Sequence, residues 1–464
     1  MQIIKKAKSS IQKLLGRQRI KDTDYRLMKY TLTQKKGDDV LLYNVITGEL
    51  VCLNKEESKL IGKLSCSPSE IYSELIEKHF LVPVDYDEKR TVDQLRKILC
   101  VMESKKEITG YTILPTTYCN ARCFYCYECG YEHIHMSEET AHRVVEYIIE
   151  HSRGKKISIG WFGGEPLVGE KIISLISKEL TDNGKEFSSS MISNGALFDE
   201  ELVQRAVDLW KLTNVQITID GTEDIYNKVK DYISFKGSPY KRVLNNICLL
   251  SKAGIRVSIR INLGFHNEDD TEKLIEELSE YFKEYENVSM YVHELFDNEG
   301  INPRAYTEEE NNHLTQKVIE LNEYIEEKGK YKAGAGLPLL AIRHCMADGD
   351  GSVIIQPDGG LSKCEHYNEG DEFGSIYNIE RNDEKLKEWK TYTELDKCGE
   401  CPLYPSCRLL ARCPDALKCN DARQNKSIRD ARAAMLKVLD NKASKKNKCD
   451  TVCEDDTDIN NEKC

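Results

Sequence analysis

The sequence predicts an α/β chain built around one long run of parallel βα units. Three observations carry that prediction. From Ile108 onward, apolar runs of strand length alternate with amphipathic runs of helical period, six times in succession. Ahead of this run lies a short β-rich stretch punctuated by Gly37-Asp38-Asp39 and Thr47-Gly48. Behind it, from Cys345 to Cys419, lies a dense field of cysteines.

Taken in order, residues 1–22 carry seven Lys or Arg before the first acid, Asp22. They read as a basic segment, with a short amphipathic helix in a solvated, frayed terminus. Residues 23–105 read as a small α+β domain of their own. Its strands are Tyr30 to Thr33, Val40 to Asn44 and Leu50 to Leu53, followed by helices at Lys55 to Leu64 and Ser69 to Phe80. Residues 106–330 hold the βα run, with strands at 108–114, 157–162, 187–192, 215–219, 256–262 and 288–292. The helices between them fall at 137–152, 170–182, 199–211, 240–253 and 270–284, and Ser137 is a good N-cap with acids in the first turn behind it. Such alternation implies parallel strands with functional groups at their carboxyl ends. A further helix fills 307–328. In residues 331–440, Ser352 to Gln356 and Leu361 to Cys364 read as a hairpin turning at Pro357-Asp358-Gly359-Gly360. Residues 441–464 read as a polar, disordered tail.

Net charge is -12, a poor overall footprint for nucleic acid. No apolar run approaches the ~20 residues of a membrane span, and no secretory signal pattern opens the sequence. The 18 cysteines are too many for an ordinary cytosolic enzyme. Without a secretory signal, their clustering favours metal in a reducing cytoplasm over disulfides.

One cluster directly follows the first strand. CNARCFYC places Cys119, Cys123 and Cys126 on one tight loop. A cubane iron–sulfur cluster needs one ligand per iron, so three thiolates leave an iron open. A zinc knuckle or plain buried cysteines are the alternatives, although zinc more often uses paired Cys-x-x-Cys units.

CX3CX2C with Tyr125 before the third cysteine resembles the signature of radical S-adenosylmethionine (SAM) enzymes. Three later stretches match that family in order: WFGGEPL at 161–167, ISNG at 192–195 and ITIDG at 217–221. The resemblance implies a partial (β/α)6 TIM-type barrel with a [4Fe-4S] cluster on Cys119, Cys123 and Cys126. SAM would chelate the open iron, with Tyr125 near its adenine. Gly163, Gly164, Glu165 and Pro166 would hold its amino group, with the glycines letting backbone approach the ligand closely. Ser193 and Asn194 would contact its ribose, unless they cap the next helix. Arg260 and Asn262 reach toward it on strand five, unless Arg260 pairs with an acid. Asp220 is the weakest candidate, since DGT is also an ordinary turn.

The C-terminal cysteines resemble the SPASM domain of peptide-modifying radical SAM enzymes. That resemblance implies two auxiliary [4Fe-4S] clusters. Cys398, Cys401, Cys407 and Cys419 would hold the outer one, and Cys345, Cys364 and Cys413 the inner one. The spacings to Cys413 and Cys419 depart from the family pattern. No further cysteine lies between Cys345 and Cys364, which leaves an inner iron open to a substrate thiolate unless Cys419, a tail cysteine or an uncharged ligand closes it. Residues 23–105 resemble the winged-helix-like element that binds a leader peptide as an extra strand; a plain packing domain is the alternative. Cys52, Cys66, Cys100 and Cys248 read as core residues, Cys129 falls outside the triad, and Cys449, Cys453 and Cys464 read as non-functional tail thiols.

By the same resemblance, a reduced cluster splits SAM to a 5′-deoxyadenosyl radical that takes hydrogen from a substrate carbon. An electron donor such as flavodoxin or ferredoxin would feed the cluster. The expected substrate is a ribosomally made precursor peptide and the expected product a cysteine thioether. The runner-up is formylglycine formation of the sulfatase-maturing type, where an Asp after the hairpin cysteine acts as general base; here Glu365 holds that place. A carbon–carbon or carbon–oxygen crosslink is a third outcome, and a non-catalytic iron–sulfur or zinc scaffold a fourth.

Overall fold

The computed structural model describes every residue except 22, 62–69, 104–106, 153, 155, 296–303, 331–335, 367–369, 379–380, 414–418 and 455–464. Cys66 and Cys464 lie outside the described residues, as do the side chains of Cys449 and Cys453.

A nine-stranded sheet forms the centre. Its strands, numbered from the first βα unit, are β1 (Gly110–Ile113), β2 (Lys156–Trp161), β3 (Glu186–Ser193), β4 (Leu212–Thr218), β5 (Arg256–Leu263) and β6 (Val288–Glu294). The six run parallel, each beside the next. Between them run α1 (Glu138–His151), α2 (Glu170–Asp182), α3 (Glu200–Asp208), α4 (Glu223–Lys230), α5 (Pro239–Lys252) and α6 (Glu268–Tyr281), and α7 (Glu308–Glu327) follows β6. Of these, only the two-turn α4 escapes the sequence reading. Ser137 accepts the Thr140 N–H at 3.0 Å and caps α1 as expected. Ile159, Trp161, Ile217, Ile259 and Ile261 are almost wholly buried in one continuous core between sheet and helices.

The predicted hairpin forms, from β7 (Ser352–Ile355) and β8 (Gly360–Ser362). It does not stand apart from the barrel. β7 pairs parallel with β1, and β8 pairs with the short β9 (Gly374–Ser375). The cysteine-rich region therefore completes the barrel sheet, on the side of the strand that leads into Cys119.

The N-terminal region corrects two expectations. Gln2–Lys5 is not frayed: it pairs antiparallel with Leu50–Leu53 as an edge strand. The reason lies in its QIIK pattern, which a positive-charge count overlooks, with Ile4 and then Ile11 of the Ser9–Leu15 helix buried. The sheet order is Gln2–Lys5, Leu50–Leu53, Asp39–Asn44, Thr31–Lys36. Nor is its core wholly its own: Tyr25, Leu42, Val51, Phe80 and Leu81 pack among themselves, but two further clusters are shared. Leu32 and Leu41 pack with Ala431 and Met435, and Tyr30 and Val92 with Leu340 and Tyr404. Ala431 and Met435 lie on α8 (Asp421–Glu454), whose backbone stays helical past residue 440, where a disordered tail was expected. No Gly or Pro interrupts that stretch. Cys52 is buried, whereas Cys100 and Cys248 are only partly so. No helix among the described residues is long and apolar enough to cross a membrane.

Deleting residues 1–6 is expected to unpair Leu50–Leu53 on one side and speed amide hydrogen exchange there. Unchanged exchange would mean that the edge strand is dispensable.

Candidate active site

The loop after β1 carries the three cysteines and has little regular structure of its own. Two neighbouring loops hold it. On one side, the Gly164 N–H donates to the Thr116 carbonyl at 3.2 Å and the Glu165 N–H to the Tyr118 carbonyl at 3.0 Å. On the other, the Arg122 N–H donates to the Lys230 carbonyl at 2.8 Å and the Ile233 N–H to the Asn120 carbonyl at 2.9 Å.

This docking adds a constraint on the two glycines. Gly163 has φ +114°, and a Cβ there would lie 2.2 Å from the Thr116 carbonyl oxygen. A Cβ on Gly164 would lie 2.5 Å from the carbonyl oxygens of Thr117 and Tyr118. On their Cβ side the glycines make room for the cysteine loop itself, a second reason for glycine at these two positions.

Glu165 is fully buried. Its carboxylate accepts the Asn194 N–H at 2.8 Å, the Ser193 hydroxyl at 2.9 Å and the Leu167 N–H at 3.1 Å. Burial nevertheless pushes its pKa up to about 7, with those donors pulling the other way. Ser193 and Asn194 thus serve the Glu165 loop, and α3 takes its cap from Asp199 instead. Asn194 also donates to the Asn120 side chain at 2.7 Å, within the cysteine loop.

Asp220 is far from an ordinary turn residue. It is fully buried, 3.0 Å from the Lys230 ammonium, and accepts the Tyr125 hydroxyl. Lys230 also donates to the Tyr125 hydroxyl at 2.9 Å, as does Asn262 at 3.3 Å. The aromatic side chain between the second and third cysteines is therefore pinned by groups at the ends of β4, α4 and β5. Lys230 has no motif of its own, and its partnership with Asp220 is visible only in three dimensions. Among the described residues, Arg260 pairs with no acid. It donates to the Asn262 side chain at 2.8 Å and lies 3.2 Å from His293 Nδ1.

These groups line one cleft. Cys119, Cys123 and Cys126 share it with Gly163, Gly164, Ser193, Asn194, Lys230, Arg260 and Asn262, all at the carboxyl ends of the strands. Glu365 and His366, just past β8, also line it, beside Tyr127 and Glu128. The last three were missed by sequence reading. The Tyr127 and His366 rings meet at a tilt, 4.4 Å between centroids, and burial pushes Glu128 up to about 7. Pro166 starts a 3-10 turn just behind, buried outside the cleft lining.

The thiols suit a group that supplies positive charge. Burial pushes Cys119 and Cys126 up to about 12 and raises Cys123 as well. Without such a group they would stay neutral, and only thiolates bind metal. Among the described residues, no three His, Cys, Asp or Glu side chains converge as tightly as a single ion requires. A single zinc wants its donors about 2.0–2.3 Å from one point, whereas a cubane spreads its thiolates over separate irons.

Cys398, Cys401, Cys407 and Cys419 line a second cavity, as the sequence predicts. Cys364 and Cys413 pack around Ala347, Trp389 and Leu410, and the thiols of Cys345, Cys364 and Cys413 lie near enough to act on one another's charge.

Two predictions test the geometry. Gly163→Ala should destabilise the fold by at least about 3 kcal/mol, from strain plus clash, seen as a lowered melting temperature. In the ligand-free protein, native Glu165 keeps its proton up to about 7, while the unfolded chain releases it near 4.5. Stability should therefore fall by about 3 kcal/mol as pH rises through that window. Denaturant unfolding across pH 4.5–7 should show this fall, flattened in Glu165→Gln.

Residues 113–278 match the family model described as the Radical SAM superfamily. No curated protein matches the sequence. Among solved structures, a histidine-tagged anSMEcpe with bound AdoMet is similar at TM-score 0.54 and 18% identity, over 72% of this chain and 99% of that one. Native anSMEcpe with bound AdoMet and Kp18Cys peptide gives 0.54 at 17%, over the same shares. Streptococcus suis SuiB bound to precursor peptide SuiA gives 0.50 at 13%, over 86% of this chain and 98% of that one. At these identities the likeness is one of fold. The family match, the motif order and the cleft at the strand ends converge: the chain carries a radical SAM domain and is a radical SAM enzyme.

Proposed function

We propose that this enzyme modifies a ribosomally made precursor peptide and joins a cysteine sulfur to a substrate carbon as a thioether. The observation that carries the reading is the shared cleft. Glu365 and His366, next to the candidate auxiliary ligand Cys364, line it together with the Cys119 triad, and His366 touches Tyr127 beside Cys126. A peptide segment lying there would touch both cysteine fields.

When bound, the cluster on the triad and SAM supply a carbon radical able to take hydrogen from the substrate. The chain's own residues do the rest. Gly163, Gly164, Glu165 and Pro166 form the loop that would receive the SAM amino group, and an ammonium beside Glu165 favours its ionised form. Asn194 and Ser193 hold that carboxylate in place, and Tyr125 flanks the adenine side. Arg260 and Asn262 present donors from β5. Burial of the cleft keeps water from the reacting carbon.

Forming the thioether removes two hydrogens. One leaves with the radical, and the other leaves the cysteine thiol as a proton that Glu365 is placed to accept. The second electron needs an acceptor, which auxiliary clusters would supply if held by Cys345, Cys364 and Cys413 and by Cys398, Cys401, Cys407 and Cys419. An inner cluster with three protein ligands would also bind the attacking thiolate directly.

The leader of the peptide would add to the Thr31–Lys36 edge of the N-terminal sheet, since Gln2–Lys5 already covers the opposite edge. Both SuiB bound to precursor peptide SuiA and anSMEcpe with Kp18Cys peptide fit a peptide substrate. Glu365 on the cleft wall also supports the runner-up, formylglycine formation, where a carboxylate is the general base.

Anaerobic reconstitution should load about twelve irons per chain, falling to about eight when Cys119, Cys123 and Cys126 become Ala, at four per cubane. Co-expression with a cysteine-bearing precursor peptide should remove two hydrogens per link, read by mass spectrometry. A peptide that instead exchanges its cysteine sulfur for oxygen would replace the thioether by the formylglycine reading.

A further inference from the structure

Arg96 sits in the Glu88–Glu103 helix of the N-terminal region and is 3% exposed. Its guanidinium reaches out of that region and into the cysteine-rich one. Nη2 donates to the carbonyls of Tyr404 at 2.7 Å, Pro405 at 3.2 Å and Cys407 at 2.7 Å, and Nε donates to that of Ala341 at 3.2 Å. It also lies over the Tyr404 ring, 4.7 Å from the centroid.

Its charge is poorly matched. The carboxylate paired with it, Asp93, stands 3.7 Å away and is itself partly solvated and shared with Lys89. A second guanidinium, Arg408, lines the same cavity, with its Nε buried and without a hydrogen-bond partner. Arg408, half-buried over the Tyr392 ring, lies near enough to act on the Arg96 charge, so the two repel unless something anionic faces them. The cavity they line is the one formed by Cys398, Cys401, Cys407 and Cys419. A bland reading, in which Arg96 merely ties two domains through carbonyls, explains its hydrogen bonds. It leaves the paired cations and the orphaned Arg408 donor unexplained.

We propose that Arg96 is a positioning and charge-compensating residue for an iron–sulfur cluster held by Cys398, Cys401, Cys407 and Cys419, supplied to it by the N-terminal region. This rests on the outer-cluster reading given above. Four thiolates on a [4Fe-4S] core leave a net negative charge, and reduction makes it more negative. A fixed cation beside it therefore favours the reduced state and raises the reduction potential, while Asp93 opposes that effect. The three bonds to the Tyr404, Pro405 and Cys407 carbonyls fix the loop that carries Cys407 with respect to that charge. Any rearrangement of the Glu88–Glu103 helix is felt at the cluster.

The test uses the reconstituted full chain with Cys119, Cys123 and Cys126 changed to Ala, so that auxiliary clusters alone contribute. The paramagnetic signal that disappears on Cys398→Ala marks the outer cluster. Its midpoint potential is read by redox titration. Arg96→Gln, which removes the charge, should shift it downward; Arg96→Lys should hold it near the parent; Asp93→Asn should shift it upward. A purely structural tie would loosen the loop in the Arg96 variants without giving shifts of opposite sign. If Arg96→Gln fails to retain iron, the upward shift in Asp93→Asn decides. Potentials unmoved in Asp93→Asn and in every Arg96 variant that retains iron would overturn the role of Arg96 alone. A parent that loses no signal on Cys398→Ala would overturn the outer cluster, and the proposal with it.

Discussion

Three thiols can be aimed at one centre only if the loop that carries them is held still, and a loop has no hydrogen-bond ladder of its own to hold it. Here the ladder is borrowed. The β2 loop gives two backbone bonds to one flank; at the other, the end of α4 accepts one and the turn beyond it donates one. Close approach of one backbone to another is possible only where side chains are absent, so Gly163 and Gly164 stand at the contact. Everything else in the site inherits its position from this clamp. Glu165 follows the second glycine, and Ser193 and Asn194 are fixed through Glu165 in turn.

A second constraint is electrostatic. The Asp220–Lys230 pair is buried on the floor of the cleft, where removing either partner would strand a charge. Such a pair contributes little net stability, yet it orients the Tyr125 hydroxyl with little freedom left. Polar groups from two strand ends and one helix end thus converge on one aromatic side chain. The ring lies within the cysteine loop, so the pair adds a third point of attachment to the two backbone clamps.

Much of this was legible in the sequence, because βα alternation is a strong periodic signal and the motifs fall where strands end. The six strands and the helices α1, α2 and α5–α7 appear within a few residues of the expected positions, and α3 ends only somewhat short of its own. What escaped reading has physical causes. Gln2–Lys5 is too short for its period to outweigh the charges around it. Lys230 lies far along the chain from Tyr125, and no spacing rule joins them. At Gly163 and Gly164 the contact with the Thr116–Tyr118 backbone went unread, since sequence shows that a position needs room and not what fills it. The N-terminal stretch was rightly seen as α+β, but its core draws on Leu340, Tyr404 and Met435, which no local pattern reveals.

The pairing of β7 with β1 bears on how the molecule is made. β1 begins the barrel and leads into the triad, yet one of its two neighbours is encoded in the opposite half of the chain. During synthesis that edge stays open until the hairpin has emerged, and pairing over such a separation is slow. An unpaired edge beside exposed thiols is the state most prone to oxidation and to joining with other chains. The interval between translation of Ile113 and of Ile355 is therefore when the nascent protein most needs a chaperone, and metal delivered after it meets a finished edge.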